Sequence, residues 1–123
     1  MFHKANPDGY KPVLPGIHFK TLVFGEQALF SDFRMQAGSN VPSHSHMYEQ
    51  TGYLVSGKIR LTIGDEVFTV EPGDSWCIHS NVSHSAEILD DSVAIEVFSP
   101  VREDYLPGNI MQFQHDRIRG KGP

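Results

Sequence analysis

The segment His44-Ser45-His46-Met47-Tyr48-Glu49-Gln50 places two imidazoles and an amide at spacings that suit metal ligation. Along an extended backbone, side chains two apart point the same way, so His44, His46 and Gln50 share one face, while Ser43, Ser45 and Glu49 share the other. Two imidazole nitrogens beside an amide oxygen suit one divalent transition metal of borderline softness, and nickel, zinc, manganese, iron and cobalt all fit. The plainer reading is a polar turn that happens to contain histidine. Glu49 competes with Gln50 as a ligand, but its parity is wrong unless a bulge intervenes.

Short extended runs must position these groups. Strands are expected at 28–36, 50–56, 59–63, 67–70, 75–79, 85–89 and 93–98, separated by turn-forming Gly, Pro, Asn and Asp. Gly64-Asp65 predicts a tight hairpin, and Asp90-Asp91 a second one. Eleven Gly and eight Pro interrupt the chain, and no apolar pattern with the helical period is long enough for a major helix. The composition therefore predicts an all-β sandwich or closed barrel, since closure removes exposed edges.

Length and charge narrow the function. At 123 residues the chain is the size of one domain, 1–123, with a barrel core at about 17–105 and a tail at 106–123 whose charges read as solvated surface. A net charge of −5 without a basic cluster excludes a nucleic-acid surface as an expectation. No run approaches the roughly 20 apolar residues that cross a membrane. The first residues carry no apolar secretion signal, and Cys77 is the single cysteine, so a cytoplasmic location is expected.

Two spaced blocks resemble the motifs of the cupin superfamily. The first cupin motif is matched by Gly38, His44, His46 and Gly57, with Gln50 at the glutamate position. In the second, Gly73 and His84 match, while His79, Asn81 and Ile88 replace Pro, Gly and Asn. The resemblance implies a single-domain cupin, a double-stranded β-helix of jelly-roll type, with His84 as the fourth ligand entering from a neighbouring strand. Without the resemblance, His84 reads as a histidine hydrogen-bonded in a turn. His79 reads as a rim residue rather than a ligand. Three imidazoles and one amide leave open positions, as a catalytic metal needs. An amide in place of a carboxylate leaves the site at a formal +2, which favours a Lewis acid over a centre that must hold Fe(III).

The run Glu96-Val97-Phe98-Ser99-Pro100-Val101-Arg102-Glu103-Asp104 resembles the Asp-x-Phe-Ser-Pro-x-Arg-Glu-Asp segment of the pectin-degradation cupins. Those enzymes linearise 4,5-unsaturated uronate monosaccharides, and their first motif is similar to His44–Gln50. The resemblance implies Glu96 as acid/base in place of their Asp, Arg102 as an anchor for the substrate carboxylate, and Phe98 as a substrate platform. By alternation Ala94, Glu96 and Phe98 share a face. Each has a plainer reading: Glu96 as a buried ion-pair partner of Arg60 or Arg102, Phe98 as core, Arg102 as surface charge. Trp76 and Cys77 read as packing. A non-catalytic ligand-binding cupin and an iron-dependent dioxygenase are the competing functions. The resemblance further implies a small sugar-acid substrate and a homodimer, with 16–24 as an exchanged edge strand.

Overall fold

A computed structural model describes residues 1–106; the tail beyond, whose charges read as solvated surface, lies outside the described residues. Eight strands follow one another: β1 (Lys11–Leu14), β2 (Ile17–Phe24), β3 (Leu29–Met35), β4 (Asn40–His44), β5 (Glu49–Ile63), β6 (Glu66–Val70), β7 (Ser75–Ile78) and β8 (His84–Ser99). A 3-10 turn at Glu103–Tyr105 follows. All pairings are antiparallel, in the order β1-β2-β3-β8-β5-β6, with β4 on β8 and β7 on β5. The fold is the expected all-β barrel of jelly-roll type.

The two long strands make the barrel curve. The second half of β8 lies between β3 and the start of β5, and its first half lies between β4 and the end of β5. Each long strand therefore belongs to both walls and must bend midway. In β5 the bend falls at residues 54–59, where the register with β8 shifts three times. Gly57 sits there at φ 100°, and a Cβ on it would stand 2.5 Å from the Asp91 carbonyl oxygen and from Ser92 Cα. Only glycine allows that approach. Ser92 Oγ accepts from the Lys58 N–H at 3.1 Å and donates to the Asp90 carbonyl at 2.7 Å, bonding within the bend.

This bend corrects the expected hairpin at Asp90-Asp91. β8 runs through both aspartates without reversing. Two acids and a serine in a row have turn composition, but Asp91 uses its carboxylate to accept the Ala37 N–H at 2.8 Å, and both aspartates stay exposed on the outside of the curve. The segment expected at a sheet edge is not at an edge. β2 lies between β1 and β3 of its own chain, because 11–14, unforeseen as a strand, covers its outer side. The Gly64-Asp65 hairpin forms as expected, joining Ile63 to Glu66.

Alternation sorts side chains across the wall. Inward residues of β3, β5 and β8, including Leu29, Phe33, Leu54, Ile59, Leu61, Ile88 and Phe98, form one buried cluster with Ile17 and Phe19. Fully burying a side chain of this size contributes about 1.5–3 kcal/mol. Among the described residues, no helix is long and apolar enough to cross a membrane.

Candidate metal centre

His44 closes β4 and His84 opens β8, and the two are register partners across the pair. Directly opposed residues of an antiparallel pair point to the same side, so their rings meet with centroids 4.2 Å apart. His46 lies in the bend between β4 and β5, with its ring 5.0 Å from His84 and 5.5 Å from His44. Their ligand nitrogens all lie within 4.8 Å of one another. The convergence has a different cause from the one expected. Backbone 45–48 is not strand, so cross-strand pairing and a bend, rather than unbroken alternation, bring His44, His46 and Gln50 together.

Backbone carbonyls orient every ring. The Nδ1 atoms of His44, His46 and His84 lie 2.9, 3.1 and 2.9 Å from the carbonyl oxygens of Pro42, Tyr48 and Val82. A ring that donates through Nδ1 presents Nε2 as a lone pair, the form a ligand needs. Burial lowers the pKa of His46 and His84, with the nearby Arg102 charge acting in the same direction, which favours their neutral form.

The donor set fits a cation on two observations. The Nε2 of His84 is buried and has no hydrogen-bond partner, which is costly unless something fills the position. The Nε2 of His46 stands 3.0 Å from Gln50 Oε1. Gln50 Nε2 donates to Glu96 Oε1, so the amide oxygen must be the atom turned to His46. A neutral imidazole has one N–H, yet His46 faces two acceptors, the Tyr48 carbonyl and the Gln50 amide oxygen. A cation between Nε2 and Oε1 resolves that conflict, and two donors about 2.1 Å from one ion at a right angle stand about 3.0 Å apart. Glu49 is exposed on the opposite face and takes no part.

Behind Gln50 stands Glu96, 8 % exposed and facing inward with Ala94 and Phe98. It accepts from Gln50 Nε2 and from Trp76 Nε1 at 3.4 Å. Burial pushes its carboxyl up to about 7, against the opposing pull of those two donors and Arg102. Neither ion pair weighed for Glu96 forms, since Arg60 bonds Glu87 and Arg102 bonds Asp104. Trp76 reaches Glu96 by lying over Gly52, its register partner; a Cβ there would meet the indole at 2.2 Å. In the sequence Trp76 reads as packing alone, because only the register of β5 with β7 shows the contact. Cys77, also expected to pack, is exposed instead, because β7 turns Trp76 and Ile78 toward the cavity.

Arg102 stands at the cavity rim. Its guanidinium carbon lies 4.0 Å from the ring centroid of Tyr105, 5.1 Å from Phe98 and 5.5 Å from Tyr48, and its Nε pairs with Asp104 at 3.1 Å. Thr21 Oγ1 donates to the Tyr105 carbonyl and ties this turn to β2. Phe98 is 1 % exposed and is both core and cavity wall, with its ring centroid 6.1 Å from His46. The cavity holds about 410 Å³, its polar groups being those already named together with Ser85, Asp104 and Tyr105, and its walls otherwise apolar. Ser85 and Tyr105 carry no signal in the sequence, and Asp104 appears there only as the last position of the Glu96–Asp104 run.

Residues 31–99 match the cupin domain family, and the chain belongs to it. The fold is similar to that of KdgF from a Halomonas species, with TM-score 0.81 and 28% identity over 86% of this chain and 98% of that one. An RmlC-like cupin from Shewanella frigidimarina gives TM-score 0.81 at 23% identity, covering 85% and 95% of the two chains. Salicylate 1,2-dioxygenase from Pseudoaminobacter salicylatoxidans gives 0.67 at 18% identity, over 72% of this chain and 26% of that one. The last two show the fold alone. No curated protein matches by sequence.

Proposed function

We propose that this cupin is a metal-dependent enzyme that opens the ring of 4,5-unsaturated uronate monosaccharides. The observation that carries the reading is Glu96, an inward carboxyl bonded to Gln50 and set beside three imidazoles in a cavity of small-molecule size. The resemblance of 96–104 to the pectin-degradation cupins and the likeness to KdgF support the same substrate class.

His44, His46, His84 and Gln50 would hold a divalent ion, which supplies positive charge to an oxygen that becomes anionic during ring opening. Glu96 as carboxylate takes the proton of the anomeric hydroxyl. The O–H pair becomes the C1 carbonyl, the bond from C1 to the ring oxygen breaks, and the ring oxygen becomes the ketone at C5. Protonated Glu96 then returns its proton to C4, so the reaction is an isomerisation with no co-reactant. Its carboxyl, at about 7, is ready for both roles near neutral pH. Arg102 receives the substrate carboxylate at the rim, and the apolar walls limit water at the reacting carbons. The enzyme is read as cytoplasmic and dimeric, the latter checked by light scattering.

The test is Glu96→Gln, which is expected to keep the metal and lose turnover; full turnover with metal retained would remove Glu96 from the reaction. The apolar walls favour a second reading, binding of a small acid without turnover. In that case uronates would raise the melting temperature of the metal-loaded protein and remain unconsumed.

A further inference from the structure

The outer face of the β5–β7 pair carries three metal-ligating side chains that the cavity does not use. Ile78 is 1 % exposed and lines the cavity, so Cys77 and His79, on either side of it, point outward. Glu49 begins β5 beside Gln50, whose side chain is buried, and Glu49 likewise points outward. The Nδ1 of His79 lies 3.7 Å from Glu49 Oε1 and 3.9 Å from Cys77 Sγ. All three ligand atoms lie within 4.8 Å of one another.

We propose that Glu49, Cys77 and His79 form a second metal site, for zinc or a divalent ion of similar softness, on the outside of the barrel. A thiolate, an imidazole and a carboxylate make a mixed set suited to such an ion in tetrahedral geometry, with a fourth position left to water. Donors about 2.0–2.3 Å from a tetrahedral ion stand roughly 3.5 Å apart. The observed 3.7 and 3.9 Å therefore close by a few tenths of an ångström. The side chains are free to make that movement, being 77% exposed in His79 and 51% in Glu49. Among the described residues β7 pairs only with β5, so an ion here would clip the end of β7 to the start of β5. Trp76 and Ile78, which face the cavity from β7, would be held with it.

A thiolate-to-metal charge-transfer band isolates this site, because Cys77 is the single cysteine and the inner centre offers only nitrogen and oxygen. Cobalt(II) is titrated into the reduced full chain and absorbance is followed. The band is expected to saturate at one cobalt per chain beyond any taken by the inner centre, and to vanish in Cys77→Ser. His79→Ala is expected to move its midpoint at least about tenfold, since even partners one step removed from a metal cost about 10–100-fold. His84→Ala, which removes an inner ligand, should leave the band in place. No band at excess cobalt would overturn the proposal, as would loss of the band in His84→Ala. A midpoint unmoved by both His79→Ala and Glu49→Gln would also overturn it, by showing a bare thiol capturing cobalt.

Discussion

Gly52→Ala tests the wall that positions Glu96. The added Cβ would sit 2.2 Å from Trp76 Cε2, 2.3 Å from Cζ2 and 2.4 Å from Nε1. Ordinary contact begins near 3.4 Å, so the indole must move by more than an ångström. Its Nε1 is already 3.4 Å from Glu96, and such a movement breaks that hydrogen bond. Overpacking of this kind costs about 1–3 kcal/mol. An unfolding entropy of about 2.1 cal/mol/K per residue over a chain of this length makes 1 kcal/mol worth roughly 4 °C, so the melting temperature should fall by roughly 4–12 °C. Trp76 is the single tryptophan, and intrinsic fluorescence therefore reports the displacement directly, with a red shift as the ring moves toward water. In a Trp76→Leu background the same Gly52→Ala change should cost much less, because the clashing atoms are gone. Unchanged melting and fluorescence in the single variant, or equal costs in both backgrounds, would show that Trp76 does not pack on Gly52.

Other outcomes follow from the same geometry. Glu96→Gln should lower kcat by about 10²–10⁴-fold while metal content, read by mass spectrometry of the native protein, stays at one inner ion. Arg102→Ala should raise KM more than it lowers kcat, by roughly tenfold or more, because a charge-assisted hydrogen bond of about 1.5–3 kcal/mol is lost; equal KM would remove the anchor role. The metal-free protein should show two opposing pH effects in urea unfolding. His46 and His84 have lowered pKa values when folded, so the unfolded chain binds more protons below about pH 6.5 and stability drops as pH falls through that range. Glu96 has a raised one, about 7 against 4.5, so the folded chain binds more protons between those values and stability drops as pH rises through them. Replacing Glu96 with Gln should abolish the second slope and leave the first.

The part of the candidate site that lies within regular strands is legible in the sequence, because it obeys strand alternation locally. Ala94, Glu96 and Phe98 do share the inward face of β8, and Gln50 does point inward where Glu49 does not. Other features depend on pairing between distant strands. Trp76 reaches Glu96 only because β7 registers Trp76 against Gly52, a match that neither segment shows alone. The aspartates at 90 and 91 have turn composition, yet β8 bends there rather than reversing, because Gly57 on β5 admits Ser92 and Ala37 satisfies Asp91. β4, with Asn40, Pro42 and Ser43, has little strand character of its own, and its pairing with β8 fixes it. The exposure of Cys77 follows from the parity of a strand only four residues long, too short for a pattern to be read from composition.

The most direct measurement follows the vinyl proton of a 4,5-unsaturated uronate monosaccharide by NMR with metal-loaded protein, metal-free protein and metal-loaded Glu96→Gln. Rapid loss of the signal is expected with the first sample alone, together with appearance of the open-chain keto acid. Loss at the same rate in all three, or no acceleration by the fully loaded wild type, would contradict the proposed function.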